Sequence, residues 1–496
     1  MHCALVVLLA LGAAFDDWSK ATAALRRALS GGSGEKEIEQ AVAGVARDNS
    51  ERAVRLLVAS LATDDTKAYW IVIAGLGQVG SKEAVEELVK QVLTVRPPSL
   101  RRDLMAAVQA NGSAFIDDGL ARILDEGTAD LQLVAIDDML RRGKKESIPR
   151  FIDLVKKHES ADNEVKRQAL KALRALTGLD VTKASDWTSW WDRNKDTFKV
   201  GGEAARPSAG GAGAGTTVVE SLKRNRTTDY EDLKKGAKHD IVAVSGVFDT
   251  VQDVLDKMKI PRTLVDKDGF EKQDLSKTSA LLINCDEFEG QKRFSNASIT
   301  KIRDFVARGG YLFTSDWGLV DVIERAFPGT CKNGGIPTLE KVRIYPAKGA
   351  TGHPFLREVF VKHTVEGGAG GKSGSLSERR LDFEWVIDGG SFAIDYDPAK
   401  VTVLVESPEL KDHIKHGAVA VTFVWGDSGE RVRESVATGG VYEELPKMRG
   451  GKVLHVLSHF GKQRTKDDEY AIQGMLLNFL IEAKDRKLMR SAPRKK

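Results

Sequence analysis

The sequence predicts a multidomain chain, an all-α helical-repeat solenoid followed by an α/β domain with a strand-rich insertion. Three observations carry this. The length of 496 residues exceeds what one hydrophobic core supports. Residues 16–199 follow the period of amphipathic helices with no strand-like alternation between them. From residue 218 onward, short apolar strands alternate with helices, the pattern of a parallel sheet covered on both faces.

The chain opens with MHCALVVLLALGAA, residues 1–14, an apolar run too short to span a bilayer and closed by small residues. That is the outline of a secretory signal peptide and of an exported, periplasmic or extracellular protein. Its n-region has only the initiating amine and His2, so a buried first helix in a cytoplasmic protein is the alternative. An apolar share of 42% and a charged share of 29% exclude a mainly disordered chain and a multi-span membrane protein.

Amphipathic stretches then recur, among them Glu37 to Ala46, Glu51 to Leu61, Lys82 to Leu93, Leu100 to Ala110, Phe115 to Leu124, Leu131 to Leu140, Ile148 to Lys156 and Val165 to Leu176. Breaks at Gly80, Gly112, Gly143 and Gly178 are spaced by 32, 31 and 35 residues, which marks a repeat array. A single helical hairpin cannot bury its own apolar stripe, and stacked neighbours supply the missing surface. The texture of SKEAVEELVKQV and its neighbours resembles HEAT repeats, a resemblance that implies a protein partner on an extended surface. Trp187, Trp190 and Trp191 share one helical face at the end of the array, as a cap over the last repeat or as a ligand cage.

Residues 200–217 contain GGEAARPSAGGAGAGTT, with six glycines and five alanines, and read as a flexible tether with a reach of roughly 20–25 Å. At the other end, residues 486–496 form a basic tail. Lys484 to Lys496 carries seven Lys/Arg and one Asp, more than the whole net charge of +4, so the rest of the chain is slightly acidic. Nucleic-acid binding is therefore not expected, nor is a membrane span.

In residues 218–485, Asp240 to Gly246, Ala280 to Cys285, Tyr311 to Ser315 and Lys452 to His459 read as strands. The stretches Thr250 to Ile260, Ser298 to Ala307 and Glu469 to Ala483 read as helices. Val342 to about Val424 is strand-rich and reads as an insertion or sheet extension, with a glycine-rich loop at Glu366 to Ser377.

This order, with Gly309-Gly310 followed by YLFTSDWG, resembles the class I glutamine-amidotransferase-like fold, and most closely its ThuA-like group. The resemblance implies a flavodoxin-like sheet and a nucleophile cysteine on the sharp turn of a G-x-C-x-G motif, where a helix N-terminus lowers the thiol pKa. Lining up Gly318 with the last motif glycine puts Asp316 at that cysteine's position. The expected nucleophile is replaced, which implies a pseudoenzyme. Asp316 can hold a cation, orient water, accept hydrogen bonds, or serve as an N-cap for the helix around Leu319 to Ala326.

Cys285 ends the preceding strand, at the sheet edge where ligands of open α/β folds bind, although cysteine is also a common buried apolar residue. Asp286 and Glu287 beside it disfavour a thiolate and suit a cation or polar ligand. His459 is the counterpart of the family's late histidine, and a lone strand-end histidine is also often structural. The candidate catalytic residues are thus Asp316, His459 and Cys285, and the candidate ligand-binding residues are Asp286, Glu287, Ser315, Asp316, Trp317 and His459. A two-histidine metal site of His455, His459 and Asp316 can be written down. No metal or cofactor is assigned, because neither Cys285 nor Cys331 belongs to a CxxC pair; one disulfide between them is conceivable. The expected function is a non-catalytic interaction and ligand-binding protein, with a hydrolase or carbohydrate-processing enzyme around Asp316 as the rival and an envelope structural component as a third reading.

Overall fold

In a computed structural model, residues 17–160, 163–200, 227–286, 293–360, 383–388, 390–426 and 450–491 are described. The signal-like segment, residues 201–217 of the tether, the Glu366 to Ser377 loop, Glu287 and the last five residues of the basic tail lie outside them. The chain forms two compact units, Met1–Asp138 and Met139–Lys496.

The first unit is helical. After α1 (residues 17–29) come α2 (Glu35–Ala46), α3 (Glu51–Ser60), α4 (Thr66–Leu76), α5 (Lys82–Thr94), α6 (Pro98–Ala110), α7 (Ile116–Glu126) and the start of α8 (Ala129–Arg142). Side-chain oxygens start two of them: Asp65 accepts the N–H groups of Lys67 and Ala68, and Ser81 accepts that of Ala84. Each helix packs on the one two places further along, α2 on α4, α3 on α5, α4 on α6 and α5 on α7.

Polar ladders follow the same step. Asn49 accepts from Gly80 N at 2.6 Å and Ser81 N at 2.9 Å, and Asn111 donates to Val79 O at 2.6 Å. Arg55 reaches Glu87 at 2.9 Å, and the buried Tyr69 hydroxyl donates to Asp103 at 2.7 Å. These partners stand 31 to 34 residues apart, the interval of the glycine breaks.

The second unit carries α9 (Ser147–Lys157), α10 (Glu164–Thr177), which ends on left-handed Gly178 at φ 76°, and α11 (Ala184–Asn194). On α11, Trp187 is fully buried and donates to Val181 O at 3.2 Å, and Trp190 packs edge-on against it and against Phe198. α12 (Thr227–Lys234) packs on α10, where Lys171 pairs with Asp229 at 2.8 Å.

The strands are β1 (Ile241–Val244), β2 (Thr263–Val265), β3 (Ala280–Ile283), β4 (Tyr311–Ser315), β5 (Cys331–Asn333), β6 (Lys341–Pro346), β7 (Phe383–Val386), β8 (Ile394–Tyr396), β9 (Thr402–Glu406), β10 (Ala418–Trp425) and β11 (Gly451–Val456). Nine of them form one sheet in the order β2-β1-β3-β4-β11-β10-β9-β6-β7, and β5 pairs with β8 separately. The run β2-β1-β3-β4-β11 is parallel and has the flavodoxin-like order. The remaining four strands are antiparallel, so the strand-rich stretch extends the sheet and the result is mixed rather than wholly parallel.

Fully buried strands read as continuous apolar runs because both faces are covered. Tyr311 and Phe313, two apart and so on one face of β4, both pack on Phe479 of the closing helix α16 (Lys466–Ser491). The helices α13 (Val251–Lys257), α14 (Lys267–Lys272) and α15 (Asn296–Ala307) follow β1, β2 and β3. α15 packs against β4 and β11, and Ser295 caps it by accepting from Ser298 N.

Candidate functional site

The parallel register decides which residues meet. Val244 stands beside Ile283, Ile283 beside Thr314, and Ser315 beside Val456, so β1, β3, β4 and β11 end level with one another. Each then turns over the same carboxyl edge, and each turn delivers one functional side chain: Asp249 after β1, Cys285 after β3, Asp316 after β4 and His459 after β11. All four are at most 1% exposed. Cys285, Asp316 and His459 each bring a potential ligand atom into a group whose members lie within 4.8 Å of one another.

Asp316 sits at φ +35°, in the left-handed region that a residue with a side chain seldom enters. Its N–H donates to Val456 O at 2.9 Å, which fixes the turn against β11. Such a backbone costs about 1–3 kcal/mol and persists where surroundings over-determine it. It is also the geometry of a strand-to-helix elbow that lifts one side chain above a sheet.

The carboxylate does not cap the following helix, as an N-cap reading requires. Gly318 occupies the cap position of the π-helical turn Leu319–Ile323 without a side-chain bond, and Asp316 contributes only its backbone oxygen, to Leu319 N at 2.9 Å. Asp316 Oδ2 instead accepts from Ser391 Oγ at 2.9 Å and faces His459 Nε2 at 2.9 Å and Cys285 Sγ at 3.9 Å. Its Oδ1 is buried with no hydrogen-bond partner among the described residues.

His459 stands among three carboxylates. Nδ1 lies 3.4 Å from Asp249 Oδ1, and Nε2 lies 3.3 Å from Asp388 Oδ2 as well as 2.9 Å from Asp316. These are ion-pair distances at angles outside hydrogen-bond alignment, since neither ring nitrogen has an aligned partner. Burial opposes a charge on the ring, but Asp249 and Asp316 outweigh it and raise the imidazole to about 9. Near neutral pH the ring is therefore a proton donor rather than a base.

For Cys285 the balance runs the other way. Burial, and then the charge of Asp316, pushes its thiol far above the ordinary cysteine range, so a thiolate does not form unaided.

Asp249 organises the floor of the site. It accepts from Cys285 N at 3.2 Å, from Phe460 N at 2.9 Å and from the Ser315 hydroxyl. Phe248 and Trp317 form a half-buried aromatic rim, with Lys462 over the Phe248 ring at 4.8 Å and paired with Asp388 at 2.6 Å.

The structure brings Asp316, His459, Cys285, Ser315 and Trp317 to one place. Asp286 belongs elsewhere: it pairs with Lys267 at 3.0 Å, and Lys267 also reaches Asp321 at 3.5 Å. The two-histidine grouping fails because β11 ends at Val456. His455 lies within the strand and binds Thr314 Oγ1 at 2.9 Å, while His459 lies on the turn beyond it. His353 caps its own turn by accepting from Phe355 N. Cys285 and Cys331 are both free thiols.

Asp249, Asp388, Ser391 and Lys462 are absent from the sequence reading. Asp249 left a usable signal, an acidic residue between a parallel strand and the helix after it. Asp388 and Ser391 left none, because they follow β7 on the antiparallel side of the sheet.

No family model matches the chain, and no curated protein matches its sequence. Among solved structures, a glutamine amidotransferase from Thermotoga maritima overlaps 51% of this chain and 98% of its own, at 8% identity and a TM-score of 0.29. An engineered protein overlaps 32% of this chain and 78% of its own, at 18% identity and a TM-score of 0.18. Overlaps this shallow carry no inference about activity. Among the described residues, no helix is long and apolar enough to cross a membrane.

Proposed function

We propose that this is a binding protein rather than a thiol enzyme. Its helical repeats, read as HEAT-like, hold a protein partner. Its α/β domain keeps an amidotransferase-like frame whose sheet-edge site binds a small polar ligand without turning it over. One observation carries the reading. The elbow after β4 presents Asp316, and the thiol beside it, Cys285, is buried and held protonated by its surroundings. A nucleophile-dependent transfer therefore lacks its attacking group. The repeat reading is supported by the two-step packing of α2 to α7 and by polar ladders of matching interval.

The test is ammonia release from glutamine by the full chain, expected at background and unchanged in Cys285→Ser. Release above background that disappears in Cys285→Ser would sink the reading.

A second reading, a hydrolase or carbohydrate-processing enzyme, is favoured by the close grouping of Asp316 and His459 at 2.9 Å, within reach of direct proton transfer. Hydrolysis of a panel of esters and glycosides that falls in both Asp316→Asn and His459→Gln would establish it.

A further inference from the structure

We propose that Cys285, Asp316 and His459 form a binding site for one divalent transition-metal ion of the zinc class. This rests on the reading of the sheet edge as a binding site and names the ligand it takes.

The donor set is a thiol sulfur, a carboxylate oxygen and an imidazole nitrogen, the mixture that suits zinc and leaves a fourth position open. Zinc binds such atoms at about 2.0–2.3 Å, so ligand atoms around a tetrahedral ion stand roughly 3.3–3.8 Å apart. Here Asp316 Oδ2 lies 2.9 Å from His459 Nε2 and 3.9 Å from Cys285 Sγ, and the whole group fits within 4.8 Å. Shifts of less than about 1 Å convert this arrangement into a coordination shell.

An independent observation points the same way. Among the described residues, Asp316 Oδ1 is buried without a hydrogen-bond partner, and both ring nitrogens of His459 lack an aligned one. Polar atoms this deep are ordinarily satisfied, and a metal held by Nε2 and the Asp316 carboxylate satisfies those two, while Nδ1 faces Asp249.

The surroundings match a metal site as well. Asp249 lies against His459 Nδ1 at 3.4 Å, the carboxylate that orients a ligating histidine through its other nitrogen. Ser391 holds Asp316 Oδ2 at 2.9 Å, so Oδ2 stays toward Cys285 and His459 and Oδ1 is left for a second bond to the same ion. Charges also balance, since a thiolate and a carboxylate neutralise a divalent ion bound with a neutral imidazole. On binding, the thiol proton and the Nε2 proton leave to solvent. Asp388, with 39% of its side chain exposed, pairs with Lys462 at 2.6 Å and lies 3.3 Å from His459 Nε2.

The experiment uses the full chain, stripped with a chelator and dialysed against zinc alone, then cobalt alone. The expected result is one equivalent of either metal retained through gel filtration. Cobalt should give a thiolate-to-metal absorption band that vanishes in Cys285→Ser and persists in Cys331→Ser. Affinity should fall at least tenfold in Cys285→Ser and His459→Gln, and about 10–100-fold in Asp249→Asn. Asp286→Asn should bind as the parent does. Circular dichroism of each metal-free variant separates loss of ligand from loss of fold.

Absence of stoichiometric metal in the parent, or equal retention by folded Cys285→Ser and His459→Gln, would overturn the site. Because glutamine turnover is measured separately, failure of the metal site leaves the binding-protein reading intact, and thiol-dependent turnover sinks that reading whatever the metal result.

Discussion

Asp249 Oδ2 accepts the backbone N–H of Cys285 at 3.2 Å, so a carboxylate that follows β1 fixes the turn that ends β3. The same side chain accepts from Phe460 N at 2.9 Å and from the Ser315 hydroxyl, tying the turns after β4 and β11 to the same point. Asn at 249 keeps the shape but points an amide N–H₂ at one of these donors. An unmatched buried donor costs about 1–3 kcal/mol, and the weakened charge-assisted bonds add to it. Asp249→Asn is expected to lose about 2–4 kcal/mol in urea denaturation, on the same grounds. A loss below about 0.5 kcal/mol, the scale of ordinary surface changes, contradicts this account of the site.

A glycine makes room for that arrangement. A Cβ built on Gly246 falls 2.2 Å from Cys285 O and 2.9 Å from Asn284 Cβ, where the turns after β1 and β3 touch. The obstruction is backbone, so it cannot rotate away. Gly246→Ala should destabilise by about 1–3 kcal/mol, the usual cost of overpacking. It should also weaken any ligand of Cys285, readable as a lower thermal midpoint together with a lost binding signal. Gly80, whose added Cβ meets nothing within 4 Å and which is not a helix cap, is the control and should tolerate Ala.

Much of this molecule is legible in its residues because periodicity reports burial. The Tyr311 to Ser315 strand coincides with β4, since its run is mostly apolar and every position of it is buried. The elbow at Asp316 is legible because a glycine pair, an apolar strand and Gly318 lie contiguous in sequence. What periodicity cannot report is pairing across the chain. Nothing local says that β11 crosses to lie beside β4, or that the segment after β7 brings Ser391 to Asp316. The N-cap reading of Asp316 failed for the same reason, because the partners that hold the carboxylate away from the helix come from residues 391 and 459.

The thiols should be silent in the folded metal-free chain. Burial and Asp316 raise Cys285 well above the ordinary thiol range, and burial raises Cys331 to about 12. Iodoacetamide reacts with thiolate, so neither should alkylate at pH 8 until the protein unfolds. Mass spectrometry of peptides labelled before and after addition of denaturant reads this directly. Rapid native labelling of Cys285 would show a thiolate that burial does not allow.

His455 supplies a pH dependence with a definite sign. It lies within β11, is fully buried, and has Thr314 of β4 and Val421 of β10 as its register partners. Its Nδ1 meets Thr314 Oγ1 at 2.9 Å, while Nε2 has no partner. Burial lowers the ring to about 3 from an ordinary 6.5. Between those values the unfolded chain binds a proton that the folded chain refuses, so this contribution is fully present above about 6.5 and drains away as the pH falls. The slope approaches about 1.4 kcal/mol per pH unit. His455→Asn removes the titration and leaves the carboxylates unchanged, so subtracting its denaturation free energies from those of the parent isolates the histidine. The parent's stability relative to the variant should decline by about 1–3 kcal/mol from pH 7 to pH 5, and parallel curves would refute the assignment.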